Sequence, residues 1–119
     1  MNHAHPAPVV RQLTPRQVSQ SMGEEPEIKL LDVRTPAEYE IAYISGAILV
    51  TDEQVQDILT TWPKDACIIC YCHHGIRSQR ACDFLQAQGF RNLANMVGGI
   101  DAWSLEMDSS LPRYRISGE

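Results

Sequence analysis

The run Ala66-Cys67-Ile68-Ile69-Cys70-Tyr71 constrains the fold more than any other stretch of the chain. It is apolar without alternation, whereas a strand with one face in water alternates apolar and polar residues, so it reads as a strand covered on both faces. It is also far short of the ~20 residues needed to cross a bilayer. A strand covered on both sides requires helices above and below it, and the flanking sequence supplies them. Val9 to Leu13 is a candidate strand, and Thr14-Pro15 places an N-cap and a first-turn proline ahead of a helix to about Met22. After an acidic turn, Gly23 to Glu27, comes the apolar run Ile28 to Val33, with Asp32 near its end. Thr35-Pro36-Ala37-Glu38 repeats the capping pattern, Thr as cap, Pro at the first position and Glu at the third. Ser45-Gly46 precedes a small strand, Ala47 to Val50. Asp52 is then expected to cap a helix carrying Val55, Ile58, Leu59 and Trp62 on one face. Beyond the buried run, Ala81, Cys82 and Leu85 mark a helix over 78–88, Leu93 to Val97 a fifth strand, and Gly98-Gly99 a turn into a last helix through Trp103 and Leu105. Strands alternating with helices predict an α/β fold, a central, mostly parallel five-stranded sheet with helices on both faces.

At 119 residues and 44% hydrophobic content the chain is sized for one domain with its own core. The expected division is a flexible segment over 1–8, a domain over 9–108 and a C-terminal tail over 109–119, where Tyr114 and Ile116 alternate with charges as a weak strand hint. Fifteen Asp and Glu against ten Lys and Arg give a net charge of −5. That balance lacks the basic stripe that binds a phosphate backbone and disfavours anionic membranes, so neither nucleic acid nor membrane is an expected partner. The first residues have neither a basic n-region nor an apolar h-region, and His3 and His5 read as solvated. The four cysteines, Cys67, Cys70, Cys72 and Cys82, crowd together instead of spreading to close loops, which points to thiols in a reducing compartment, with a cytoplasmic location as the expectation.

In parallel sheets, ligands bind at the carboxyl ends of strands. The end of the buried strand leads directly into Cys72-His73-His74-Gly75-Ile76-Arg77-Ser78. A tight loop feeding a helix N-terminus gathers backbone N–H groups into one concavity, and Gly75 permits the backbone angle such a loop needs. With Cys72 at its centre, the N–H groups and the helix dipole favour the thiolate over the thiol. Arg77 adds a cation able to bind an oxyanion through two parallel hydrogen bonds. The heptapeptide reads as a cysteine nucleophile in an anion cradle.

On four motifs in order, the chain resembles the single-domain rhodanese family of sulfurtransferases. These are Leu31-Asp32-Val33-Arg34-Thr35-Pro36-Ala37-Glu38-Tyr39, then Ile44-Ser45-Gly46-Ala47, the loop from Cys72 to Ser78, and Gly98 to Trp103. Ala42-Tyr43 stand where the family usually has Gly-His, and tyrosine donates a hydrogen bond without titrating near neutral pH. The resemblance implies a rhodanese-like fold and a cofactor-free, two-step transfer. Cys72 would take sulfur from a small anionic donor such as thiosulfate, becoming a persulfide, and pass it to cyanide or a thiol. A thioredoxin-like or sulfur-carrier protein is a conceivable protein partner. His73, His74, Gly75, Ile76, Arg77 and Ser78 would bind substrate, with Arg77 recruiting the donor. Asp32, Arg34 and Glu38 would support the site structurally, Arg34 and Glu38 as an ion pair four residues apart. The two histidines are expected at the rim, solvated.

Other readings are weaker. A phosphatase or arsenate reductase of the Cys-Xaa5-Arg type needs Arg six residues after Cys, whereas Arg77 comes five after Cys72, which makes a smaller cradle. Cys67-Xaa2-Cys70-Xaa-Cys72-His73-His74 superficially suits zinc, but Cys67 and Cys70 would point to opposite faces of a strand, so they read as core filler and no metal is expected. A persulfide relay without rapid turnover, and a dithiol pairing Cys72 with Cys82, stay open.

Overall fold

A computed structural model describes residues 9–116. The segment expected to be flexible, 1–8 with its two histidines, lies outside the described residues. The elements run β1 (Arg11–Leu13), α1 (Pro15–Glu24), β2 (Lys29–Asp32), α2 (Pro36–Ile41), β3 (Ile48–Leu49), α3 (Asp52–Thr61), β4 (Ile68–Tyr71), α4 (Ile76–Ala87), β5 (Leu93–Met96) and α5 (Gly99–Glu106). The five strands form one parallel sheet in the order β1-β5-β4-β2-β3, so β4 lies at its centre between β5 and β2.

Alternation along each strand divides the core in two. Leu31, Ile68 and Cys70 face one layer with Ile58 of α3 and Cys82 and Leu85 of α4. Leu30, Ile69, Tyr71, Ala94 and Met96 face the other, with Val18 of α1, Ile100 of α5 and Ala42 and Ile44 after α2. All four residues of β4 are buried, which accounts for its lack of polar alternation. Each fully buried Leu or Ile contributes about 2 kcal/mol of hydrophobic stabilisation.

Several boundaries differ from expectation for local reasons. Thr51, not Asp52, caps α3. It holds an extended backbone and its hydroxyl accepts from Gln54 N at 3.3 Å, which places Asp52 inside the first turn near the positive end of the helix dipole. α4 begins at Ile76 instead of Ser78, because Gly75 adopts a left-handed φ of 103° and turns the chain into the helix at once. The tail forms no strand over 112–116. Ser104 Oγ donates to Leu111 O at 2.5 Å, and Leu111 and Tyr114 pack on the α1–α5 side of the core. Among the described residues no helix is long and apolar enough to cross a membrane.

Candidate active site

β4 ends at Tyr71, so Cys72 is the first residue past the centre of the sheet. The residue has no solvent exposure. Its Sγ accepts hydrogen bonds from Gly75 N at 3.0 Å and Ser78 N at 3.4 Å, with Ser78 Oγ 3.3 Å away. The left-handed turn at Gly75 aims that N–H back at the sulfur, and the first turn of α4 supplies the rest. The concavity inferred from spacing is present, and it closes on sulfur itself.

Two supports behind the loop escaped the sequence reading. Asn95, buried in the middle of β5, donates through Nδ2 to Gly75 O at 3.2 Å and Gln12 Oε1 at 3.0 Å, and its Oδ1 lies 2.5 Å from Ser78 Oγ. The available signal was an amide inside the otherwise apolar run Leu93-Ala94-Asn95-Met96, since a buried amide must find partners. Gly99 is the second. Ile100 N donates to Cys72 O at 2.9 Å and Asp101 N to His73 O at 3.2 Å, so the start of α5 satisfies the carbonyls of the loop. A Cβ on Gly99 would overlap both of those carbonyl oxygens.

The charged residues pair differently from expectation. Arg34 does not form its ion pair with Glu38. Nε and Nη2 instead engage Asp32 at 2.9 and 2.6 Å, and Nη2 also donates to Ala42 O at 2.7 Å. Asp32 further accepts from Tyr71 Oη at 2.8 Å. The extended turn between Asp32 and Arg34 brings their side chains together, with Arg34 N also on Asp32 Oδ1 at 3.0 Å. Burial works against the charge of Arg34, but the Asp32 hydrogen bonds outweigh it and raise its pKa; burial raises that of Tyr71 as well.

Glu38 turns the other way and forms a bidentate pair with Arg77, Oε1 to Nη1 at 2.7 Å and Oε2 to Nη2 at 2.9 Å. Arg77 therefore does not project openly from the loop. Burial disfavours the Glu38 carboxylate, yet the hydrogen bonds from Arg77, Tyr114 and Thr35 prevail and hold its pKa down at about 2. Tyr114 joins the two pairs. Arg34 Nη1 donates to its Oη at 2.7 Å, and Oη donates to Glu38 Oε2 at 2.9 Å. Burial first, and the bond to Glu38, push the phenol up to about 12.

The histidines separate. His73 is buried, not solvated, with its ring 4.2 Å from that of Tyr114 and 4.1 Å from that of His74. His74 stays exposed, its Nε2 3.5 Å from Asp101 Oδ2. Ile76 is exposed on the outer side of the loop. His73, His74 and Asp101 bring potential ligand atoms within 4.8 Å of one another. Both Asp101 oxygens, however, accept from Arg113, at 2.8 and 3.1 Å, so a guanidinium already stands where a cation would bind; these bonds lower the Asp101 pKa. Tyr43, which stands where the resembled family usually has His, is exposed and stacks on Tyr39 at 4.5 Å. Cys82 donates to Ala94 O at 3.4 Å and is the hydrogen-bond partner of Cys70, which together with burial pushes the Cys70 thiol up. Cys67 lies before β4, partly buried, with Arg11 Nη2 3.6 Å from its sulfur.

Comparison with known proteins agrees with this architecture. A family model described as a rhodanese-like domain matches residues 14–106. A sulfurtransferase of Allochromatium vinosum is 32% identical over 96 residues, which span 81% of this chain and 90% of that protein. The thiosulfate sulfurtransferase GlpE of Vibrio cholerae is 31% identical over 85 residues, 71% of this chain and 80% of its own length. Among solved structures, a rhodanese-like domain protein from Staphylococcus aureus superposes with a TM-score of 0.70 at 26% identity, covering 89% of this chain and 100% of that one.

Proposed function

The chain belongs to the rhodanese-like domain family, and from that premise we propose that it is a sulfurtransferase using thiosulfate or a persulfide as donor and Cys72 as nucleophile. The observation that carries the reading is the ring of donors on Cys72 Sγ, from Gly75 N, Ser78 N and Ser78 Oγ. In the first step the Cys72 thiolate attacks the outer sulfur of thiosulfate. A Cys72 S–S bond forms, the S–S bond of the donor breaks, and sulfite departs with the electron pair. In the second step cyanide or a thiol attacks the outer sulfur and the Cys72 thiolate leaves, which is ping-pong covalent catalysis.

Ser78 has one hydroxyl proton for two neighbours. Asn95 fixes Oδ1 towards it, because its own Nδ2 is occupied by Gln12 and Gly75. With Cys72 as a thiol, that proton serves Asn95; with a thiolate or persulfide, it turns to sulfur, adding a donor as charge develops. Arg77, held in place by its bidentate pair with Glu38, sets a guanidinium charge beside the loop for the incoming sulfonate. The donors close around one sulfur atom, which favours sulfur transfer over chemistry on a tetrahedral oxyanion. Physiological acceptors fit the same class: a small thiol, or a cysteine on a thioredoxin-like or sulfur-carrier protein. The thiol state of the four cysteines suits a reducing, cytoplasmic setting.

Steady-state thiocyanate formation from thiosulfate and cyanide tests the activity. Parallel lines in double-reciprocal plots, and no turnover in Cys72→Ala, are expected. Turnover that survives Cys72→Ala would refute the assignment.

A further inference from the structure

Tyr114 lies outside the segment matched by the family model, which ends at 106, yet it reaches the centre of the charged network. A guanidinium has no acceptor, so the contact between Arg34 Nη1 and Tyr114 Oη uses the phenol as acceptor. The phenolic proton is thereby directed to Glu38 Oε2, the same oxygen that accepts from Arg77 Nη2. The result is one ordered chain, Asp32–Arg34–Tyr114–Glu38–Arg77, running from the end of β2 to the first turn of α4. The tail is held in place from both sides, by the Arg113 pair with Asp101 and by the Tyr114 ring against His73, the neighbour of the nucleophile.

We propose that Tyr114 is a positioning residue for the active-site loop: by donating to Glu38 it draws carboxylate charge away from Arg77, leaving that guanidinium able to attract an anionic donor to Cys72. The inference rests on the sulfurtransferase reading for its substrate, but its electrostatic content can be measured without turnover. Without the phenolic proton, Glu38 places its full charge on Arg77 and the loop attracts anions less strongly.

The test compares alkylation of Cys72 by iodoacetate, an anion, with alkylation by neutral iodoacetamide, resolved by peptide mass mapping in the full chain. Thiosulfate KM and kcat are measured beside it. In Tyr114→Phe the iodoacetate-to-iodoacetamide ratio at Cys72 is expected to fall about tenfold, the lower end of what one hydrogen bond to a charged group is worth, and KM to rise by a similar factor with kcat little changed. A purely structural role would slow or speed both reagents together. In the Glu38→Gln background, which keeps an acceptor for the cap, Tyr114→Phe should have no further effect on the ratio. The proposal is overturned if the ratio and KM of Tyr114→Phe match those of the native chain, or if the full drop persists in Glu38→Gln. Should the native chain form no thiocyanate from thiosulfate or from a persulfide donor while the alkylation ratios shift as described, the sulfurtransferase reading fails and the positioning role stands.

Discussion

α1 and α2 begin with the same device and end with different duties. Thr14-Pro15-Arg16-Gln17 and Thr35-Pro36-Ala37-Glu38 both place threonine at the N-cap, proline in the first turn and a side-chain acceptor at the third position. Both form complete capping boxes: Gln17 N donates to Thr14 Oγ1 at 3.2 Å and Glu38 N to Thr35 Oγ1 at 3.2 Å, while the side chains of Gln17 and Glu38 accept from the cap N–H groups at 2.9 and 3.3 Å. Gln17 is otherwise exposed. Glu38 lies where β2, α4 and the tail converge, and the charge on its carboxylate is engaged by Arg77 and Tyr114. A cap is thus a local property of a few residues, whereas its use by a site depends on what the sheet topology places beside it.

The largest consequence of that difference is expected on truncation. Glu38→Ala removes the cap acceptor and the carboxylate that Arg77 and Tyr114 share, so it should cost about 3 kcal/mol in denaturant unfolding. A loss below about 1 kcal/mol would mean that the two caps are equivalent after all. Charge alone is isolated by Glu38→Gln. Because the folded pKa of Glu38 is held below its ordinary value of 4.5, at about 2, its ionised form stabilises the native state fully above about pH 5. That contribution is lost as pH falls from about 4.5 towards 2. The native chain should therefore exceed Glu38→Gln by about 2 kcal/mol near neutrality, with the two curves converging on acidification; a gap independent of pH would remove the ion pair as its cause. At the small end, Gln17→Ala should cost about 0.5 kcal/mol and show no pH dependence, as a capping contact in water does.

The same contrast explains what could be read in the sequence. The order of elements, the buried central strand and the loop from Cys72 to Ser78 follow from short-range patterns: lack of alternation in 66–71, threonine caps, and glycine before a helix. The structure reproduces them with boundaries shifted by a residue or two. Pairing partners were not legible. Arg34 and Glu38 are spaced like a helical ion pair, but Arg34 lies before the helix, where its side chain folds back on Asp32. Glu38 meets Arg77, thirty-nine positions away. The burial of His73 depends on Tyr114, and the clamp from Asn95 depends on β5 lying beside β4. These are long-range contacts, decided by strand order and not by any local pattern.

The most direct test of the central claim is the intact mass of the native chain and of Cys72→Ala after incubation with thiosulfate. The account predicts a gain of one sulfur atom on the native chain alone, removed by cyanide with release of thiocyanate. A sulfur retained by Cys72→Ala, or a native chain that remains unmodified by both thiosulfate and a persulfide donor, would contradict it.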